Sequence, residues 1–128
     1  MHELSIASGL VEKLLDFAEK NPEKKIVAVR LAVGELSHIE EAQLSFCYGA
    51  VITGTSLAGS VLEIEKVDAM ILCPHCSYRG RPKYWDGALS GIPVATLECP
   101  SCGRAAEPTD GKECAIKSIR FTENVLPV

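Results

Sequence analysis

The sequence predicts an α+β fold in which a three-stranded sheet packs against two helices and a zinc-ribbon-like module is inserted. Three observations predict it: an apolar helical stripe near the N-terminus, three strand-like segments spread along the chain, and a stretch rich in Pro, Gly, Ser and Cys before the last of them. The order αβαβ, insertion, β is that of an α+β domain.

In residues 4–19 the apolar positions Leu4, Ala7, Leu10, Val11, Leu14, Leu15 and Ala18 recur every three or four residues and paint one helix face. Asn21-Pro22 ends that helix, because the residue before proline is pushed out of the helical region. Residues 26–33 alternate β-branched and small apolar side chains as a covered strand, which Gly34 closes. Ser37 followed by Glu40 fits a capping box, so a second helix is expected from about Ile39 to Ile52. Leu44, Cys47, Tyr48 and Val51 are its buried stripe, and Gly54 is its stop signal. A strand over 61–67 has Leu62 and Ile64 on one face and Glu63 and Glu65 on the other; another is expected over 115–121, with a loose tail from Thr122. Between these last two strands, residues 71–112 show no regular period and read as the inserted module.

The chain has 128 residues, 47% of them hydrophobic, which suits one folded domain or one and a half. No apolar run approaches the roughly 20 residues of a membrane span. Met1-His2-Glu3 leads straight into the amphipathic helix without an export signal, so a cytoplasmic location is expected. A net charge of -4 disfavours general binding to nucleic acid and suits a cation or a basic partner.

Four of the six cysteines form Cys73-Pro74-His75-Cys76 and Cys99-Pro100-Ser101-Cys102. Each C-x-x-C turn aims amides at sulfur, and two such turns supply a tetrahedron of thiolates, so Cys73, Cys76, Cys99 and Cys102 are expected to bind one structural Zn(II). A small module needs such a metal, since it buries too little apolar surface to fold alone. Four thiolates leave no open position for catalysis; a rubredoxin-like iron is the rival metal, and a redox dithiol fits less well. His75 is expected to point outward, and Cys47 and Cys114 to be packing residues. Gly103 stands where the second turn needs a left-handed residue.

At the other end, a bulky residue at position 2 predicts retention of Met1. Its α-amine, an ionised backbone amide and the His2 imidazole can wrap a metal in a square-planar nitrogen set, a geometry that suits Ni(II) or Cu(II). A solvated helix leader explains the same histidine.

Met1-His2-Glu3-Leu4-Ser5-Ile6-Ala7, Val33-Gly34-Glu35-Leu36-Ser37 and the two C-x-x-C pairs, in this order, resemble the HypA/HybF family of hydrogenase nickel-insertion proteins over essentially the whole chain. The resemblance implies a nickel metallochaperone, not an enzyme, that holds Ni(II) at its N-terminus and delivers it to the [NiFe]-hydrogenase centre. Its implied partners are a HypB-like GTPase of the maturation pathway and the hydrogenase large-subunit precursor, with urease as a further recipient in some organisms. It implies nickel at the Met1 amine and His2, with Glu3 beside them, and it puts Glu40 where the family can carry an acidic residue near nickel; the capping box accounts for Glu40 equally well. His38 reads as an extra imidazole or as a solvated loop residue. The resulting division is a nickel-binding α+β domain of residues 1–70 plus 113–128 and a zinc-binding domain of residues 71–112.

Residues 77–98 make a longer insert than many members carry, and they hold no histidine that can reach nickel. Tyr78, Tyr84 and Trp85 there form an expected aromatic cluster, as the module's core or as a docking surface. The alternative function is a zinc-ribbon adaptor for protein or nucleic acid, supported by Arg79, Arg81 and Lys83 but diluted by Asp86 and Glu98. No Gly-rich phosphate loop occurs, and no nucleophile stands at readable spacing from a base.

Overall fold

The amphipathic stripe of the N-terminal segment becomes helix α1, His2–Lys20. Our computed structural model describes residues 2–86 and 93–123, and of residues 2 and 86 the backbone alone. Ala7, Leu10, Val11 and Leu14 of α1 are buried, whereas Leu4, at the start of the stripe, is exposed. The helix ends as expected: the Asn21 amide donates to the Phe17 carbonyl at 3.0 Å, and its side-chain nitrogen donates to the same oxygen at 2.9 Å.

Strand β1 (Lys24–Gly34) is the centre of a three-stranded sheet, flanked by β2 (Val61–Val67) and β8 (Cys114–Glu123) in the order β2-β1-β8. Its central position explains its near-continuous apolar sequence. The chain divides into two compact units, one of residues 1–31, 39–65 and 115–128, the other of residues 32–38 and 66–114. In the first, α1 packs against α2 (Glu41–Val51), and Leu44, Cys47 and Tyr48 are buried along with Ile26, Ala28, Val29 and Leu31 of β1. The Tyr48 ring is buried while its hydroxyl shares a 2.6 Å hydrogen bond with Ser60; burial raises this phenol above its usual range against that bond.

The entry to α2 differs from the expected capping box. Glu35–Ser37 form a single 3-10 turn, His38 is left-handed at φ 55°, and Glu40 takes the N-cap position with no side-chain cap bond. The Ser37 hydroxyl is spent backwards, donating to the Gly34 carbonyl at 2.6 Å, so it cannot meet the first-turn amides. The Leu36 amide is drawn instead to the Gly111 carbonyl at 2.7 Å, which holds the turn in the second unit. At the far end of α2, Ile52 is buried and Val51 half-buried, and Gly54 lies in the following turn at φ +78°.

The second unit is more regular than its sequence suggested. It holds β3 (Met70–Leu72), β4 (Arg79–Gly80) and β7 (Glu107–Asp110) as a sheet ordered β4-β3-β7, plus a ribbon of β5 (Tyr84–Asp86) and β6 (Pro93–Ala95). Strands of two to four residues are too short to leave a period-two signature, which is why they escape a sequence reading. Gly34 and Gly111 allow a close backbone approach, since a Cβ at Gly34 would run into the Gly111 carbonyl. Thr122 and Glu123 belong to β8, and residues 124–128 lie outside the described part. Cys114, expected to pack, is exposed at the start of β8 because both neighbouring positions on that edge strand are also open or half-open to solvent. Among the described residues no helix is long and apolar enough to cross a membrane.

Two neighbours on α2 test this packing. Leu44→Ala removes a side chain with 0% exposure and is expected to cost about 2–5 kcal/mol by chemical denaturation, whereas Phe46→Ala, at 72% exposure, should stay within about 0.5 kcal/mol. Equal losses at the two positions would contradict the burial assigned to α2.

Candidate metal centre

The two cysteine turns are built alike. In the first, the Ser77 amide donates to the Cys73 carbonyl at 2.9 Å and the Cys73 amide to the Tyr78 carbonyl at 2.8 Å. In the second, the Gly103 amide donates to the Cys99 carbonyl at 2.9 Å and the Cys99 amide to the Arg104 carbonyl at 2.9 Å. The residue after each turn is left-handed, Ser77 at φ 64° and Gly103 at φ 77°, so the glycine predicted for the second turn has a serine counterpart that bears the strain. The first cysteine of each pair is buried and the second exposed.

Their sulfur atoms all lie within 4.8 Å of one another, and the Cys73–Cys102 and Cys76–Cys99 separations are 3.6 and 3.5 Å. A tetrahedral metal with bonds of about 2.3 Å to sulfur sets its ligands about 3.8 Å apart, so the four positions fit a structural zinc. Burial works to raise the Cys73 thiol, but amide donation from Cys76 and His75 and the nearby thiols outweigh it and hold it at about 7. The Tyr78 amide works to lower Cys76, yet burial and the other thiols push it up to about 11. Four thiols this close cannot all ionise without mutual repulsion, which a dication relieves.

The buried cluster around this centre is small: Ile71, Cys73, Cys99 and Ala106, with Tyr78 packed against it. Of the expected aromatic cluster, only Tyr78 serves that core. Tyr84 is half-buried against Glu35, and Trp85 is 65% exposed, because β5 points successive side chains to opposite faces. Arg81 pairs with Glu35 at 3.2 Å and Asp68 at 3.5 Å, and Lys83 with Glu98 at 3.6 Å. These pairs spend two of the three basic residues that favoured RNA contact.

His75 is exposed and its ring stands outside the four-sulfur cluster, as the sequence suggested. Among the described residues, that cluster is the one group of three or more His, Cys, Asp or Glu donors that converges. Of the expected nickel residues, Met1 and the His2 side chain lie outside the described part. Glu3 is half-buried in the first turn of α1, and His38 and Glu40 are exposed. Missed by sequence reasoning was the role of Glu35, whose one visible signal was its place in Gly34-Glu35-Leu36-Ser37.

The chain thus comprises an α+β unit and a unit in which four converging cysteines fit a structural zinc. A family described as hydrogenase/urease nickel incorporation metallochaperone, HypA, matches residues 1–121, and the chain belongs to that family. The hydrogenase maturation factor HypA of Methanopyrus kandleri is 35% identical, with 94% of this chain and 93% of that protein covered. That of Chlorobium limicola is also 35% identical, over 96% and 98%. The solution structure of the nickel metallochaperone HypA from Helicobacter pylori shares the fold, with a TM-score of 0.63, 21% identity and coverage of 95% and 98%; another HypA solution structure gives 0.65 at 22% identity, over 95% and 97%.

Cys99→Ser tests the centre. Zinc measured after purification in reducing buffer should drop from about one per chain to a minor fraction. Amide protection at Cys73 and Ala106 should go with it, while the α1 and α2 signals persist. Stoichiometric zinc in the variant would contradict the four-thiolate assignment.

Proposed function

We propose that this chain carries Ni(II) at its N-terminal end and delivers it for assembly of the [NiFe]-hydrogenase centre, while Cys73, Cys76, Cys99 and Cys102 hold zinc as scaffold. The Met1 amine, a first-turn amide and the His2 imidazole are the inner ligands, with Glu3 beside them. The observation that carries this reading is the match over residues 1–121 to a family described as nickel incorporation metallochaperones, with α1 running from His2 to Lys20. The first four amides of a helix have no intrahelical acceptor, so those near His2 can turn to a metal without breaking a helix bond. The positive end of the helix dipole opposes a cation there, and ionisation of an amide together with the charge of Glu3 offsets it. Such a site binds moderately and releases, as delivery requires, whereas a closed four-thiolate shell retains its ion.

Glu40 is the outer acidic group in this reading. Its competing role as a capping-box partner lapses, because the Ser37 hydroxyl bonds backwards to Gly34. The chain takes no part in bond-making chemistry; nucleotide hydrolysis belongs to a HypB-like GTPase with which it docks in the cytoplasm, and the nickel passes to the hydrogenase large-subunit precursor. The proposed division of labour gives nickel to residues 1–70 plus 113–128 and zinc to residues 71–112; it differs from the two compact units, in which residues 32–38, 66–70 and 113–114 belong with the thiolate cluster.

Untagged protein and His2→Ala, titrated with Ni(II), distinguish this site from any other. Native protein should bind one ion and the variant should lose that binding; equal binding by both would contradict the N-terminal site. Since amine and imidazole must each shed a proton, with ordinary values of about 7.8 and 6.5, and the amide sheds one more on ionising, affinity should fall by about ten-thousandfold from pH 8 to pH 6. A pH-independent affinity would exclude this ligand set.

A further inference from the structure

Glu35 is claimed by neither metal site, yet a single oxygen of its carboxylate joins three separate pieces of the second unit. Oε1 accepts the Ala69 amide at 2.9 Å, the Tyr84 hydroxyl at 2.8 Å and an Arg81 guanidinium nitrogen at 3.2 Å. Those donors lie on the link between β2 and β3, on the loop after β4, and on the first residue of β5. The Arg81 guanidinium also reaches Asp68 at 3.5 Å and donates to the Tyr84 hydroxyl, its Nε at 3.0 Å. The Glu35 side chain is 22% exposed, so the network is partly withdrawn from water, where charge-assisted bonds gain strength.

The element served by this network is the β5–β6 ribbon. It has three residue pairs: Tyr84 with Ala95, Trp85 with Val94, and Asp86 with Pro93. Ala95 is buried and Tyr84 half-buried on one face, while Trp85 projects from the other. A two-stranded ribbon this short is marginal by itself. At its base the Lys83 amide donates to the Glu98 carbonyl at 2.9 Å, and the Thr96 amide and hydroxyl donate to the Lys83 carbonyl at 3.1 and 2.6 Å. The thiolate core draws on different residues, Ile71, Cys73, Cys99 and Ala106. Tyr78 spans the two sets, its ring packed on that core and its hydroxyl donating to the Arg81 carbonyl at 2.8 Å.

We infer that Glu35 is a carboxylate clamp that carries the β5–β6 ribbon as an arm separable from the thiolate core. Releasing the clamp frees the arm and moves Trp85, while the four-sulfur cluster keeps its metal. Burial works to raise the Glu35 carboxyl, but the Ala69 amide, the Tyr84 hydroxyl and the Arg81 and Lys66 charges hold it below its ordinary range. The clamp's contribution is therefore complete above about 4.5 and is lost as pH falls through the lowered folded value, so it is engaged at neutral pH. This arm is independent of where nickel binds.

The chain has one tryptophan, so Trp85 reports the arm directly. In zinc-loaded full-length protein, Glu35→Gln keeps the side-chain size and removes the charge. Trp85 anisotropy should fall and amide exchange at Thr96 should quicken about tenfold or more, with zinc content and exchange at Cys73 and Cys99 unchanged. Tyr84→Phe keeps the ring and the carboxylate and should shift Trp85 and Thr96 in the same direction by less. Unchanged anisotropy and exchange in both variants would overturn the clamp. Quickened exchange at Cys99, or loss of zinc together with release of the ribbon, would overturn the separable arm by making ribbon and core one cooperative body.

Discussion

Four thiol groups held within 4.8 Å of one another form an arrangement that works against itself until a cation joins it. Deprotonating one sulfur makes the next harder to deprotonate, because like charges this close repel. Around them stand only a few buried side chains, too little apolar surface to offset the chain entropy of an ordered unit. A dication bound to all four sulfurs removes the repulsion and ties turns from opposite ends of the unit. The paired left-handed residues after each turn and the matched amide bonds serve to point four sulfurs at one place.

A closed shell of this kind retains its ion, and retention is the wrong property for delivery. The family to which the chain belongs incorporates nickel, so the proposed cargo site needs donors that are open and readily reprotonated. Amine, amide and imidazole nitrogens at a helix start meet that need. They also favour square-planar Ni(II), whereas four thiolates favour tetrahedral Zn(II). In the proposed division, donor chemistry and geometry sort the two metals rather than strength of binding alone.

Legibility in the sequence followed the length of each signal. The first helix carries five turns of periodic apolar residues, and β1 carries an almost unbroken apolar run, so both were readable to within two residues or so. The four cysteines were readable because their spacing is itself the chemistry. What failed depended on contacts across long separations. The capping box at Ser37 and Glu40 is locally sound, but Leu36 bonds to Gly111 and Glu35 to Ala69, and these pull the segment into a 3-10 turn. Trp85 and Tyr84 looked like partners because they are adjacent, and adjacency in a strand sends side chains apart. Glu35 gave no sign of its three donors, two of which lie more than forty residues away.

X-ray absorption at the nickel edge on untagged, zinc-loaded protein tests the division between a retained scaffold metal and a delivered cargo metal most directly. A nickel shell of nitrogen and oxygen neighbours alone is expected, with the zinc edge on the same sample showing four sulfurs. Sulfur in the nickel shell would contradict that division, because the proposed ligands are nitrogen and oxygen alone.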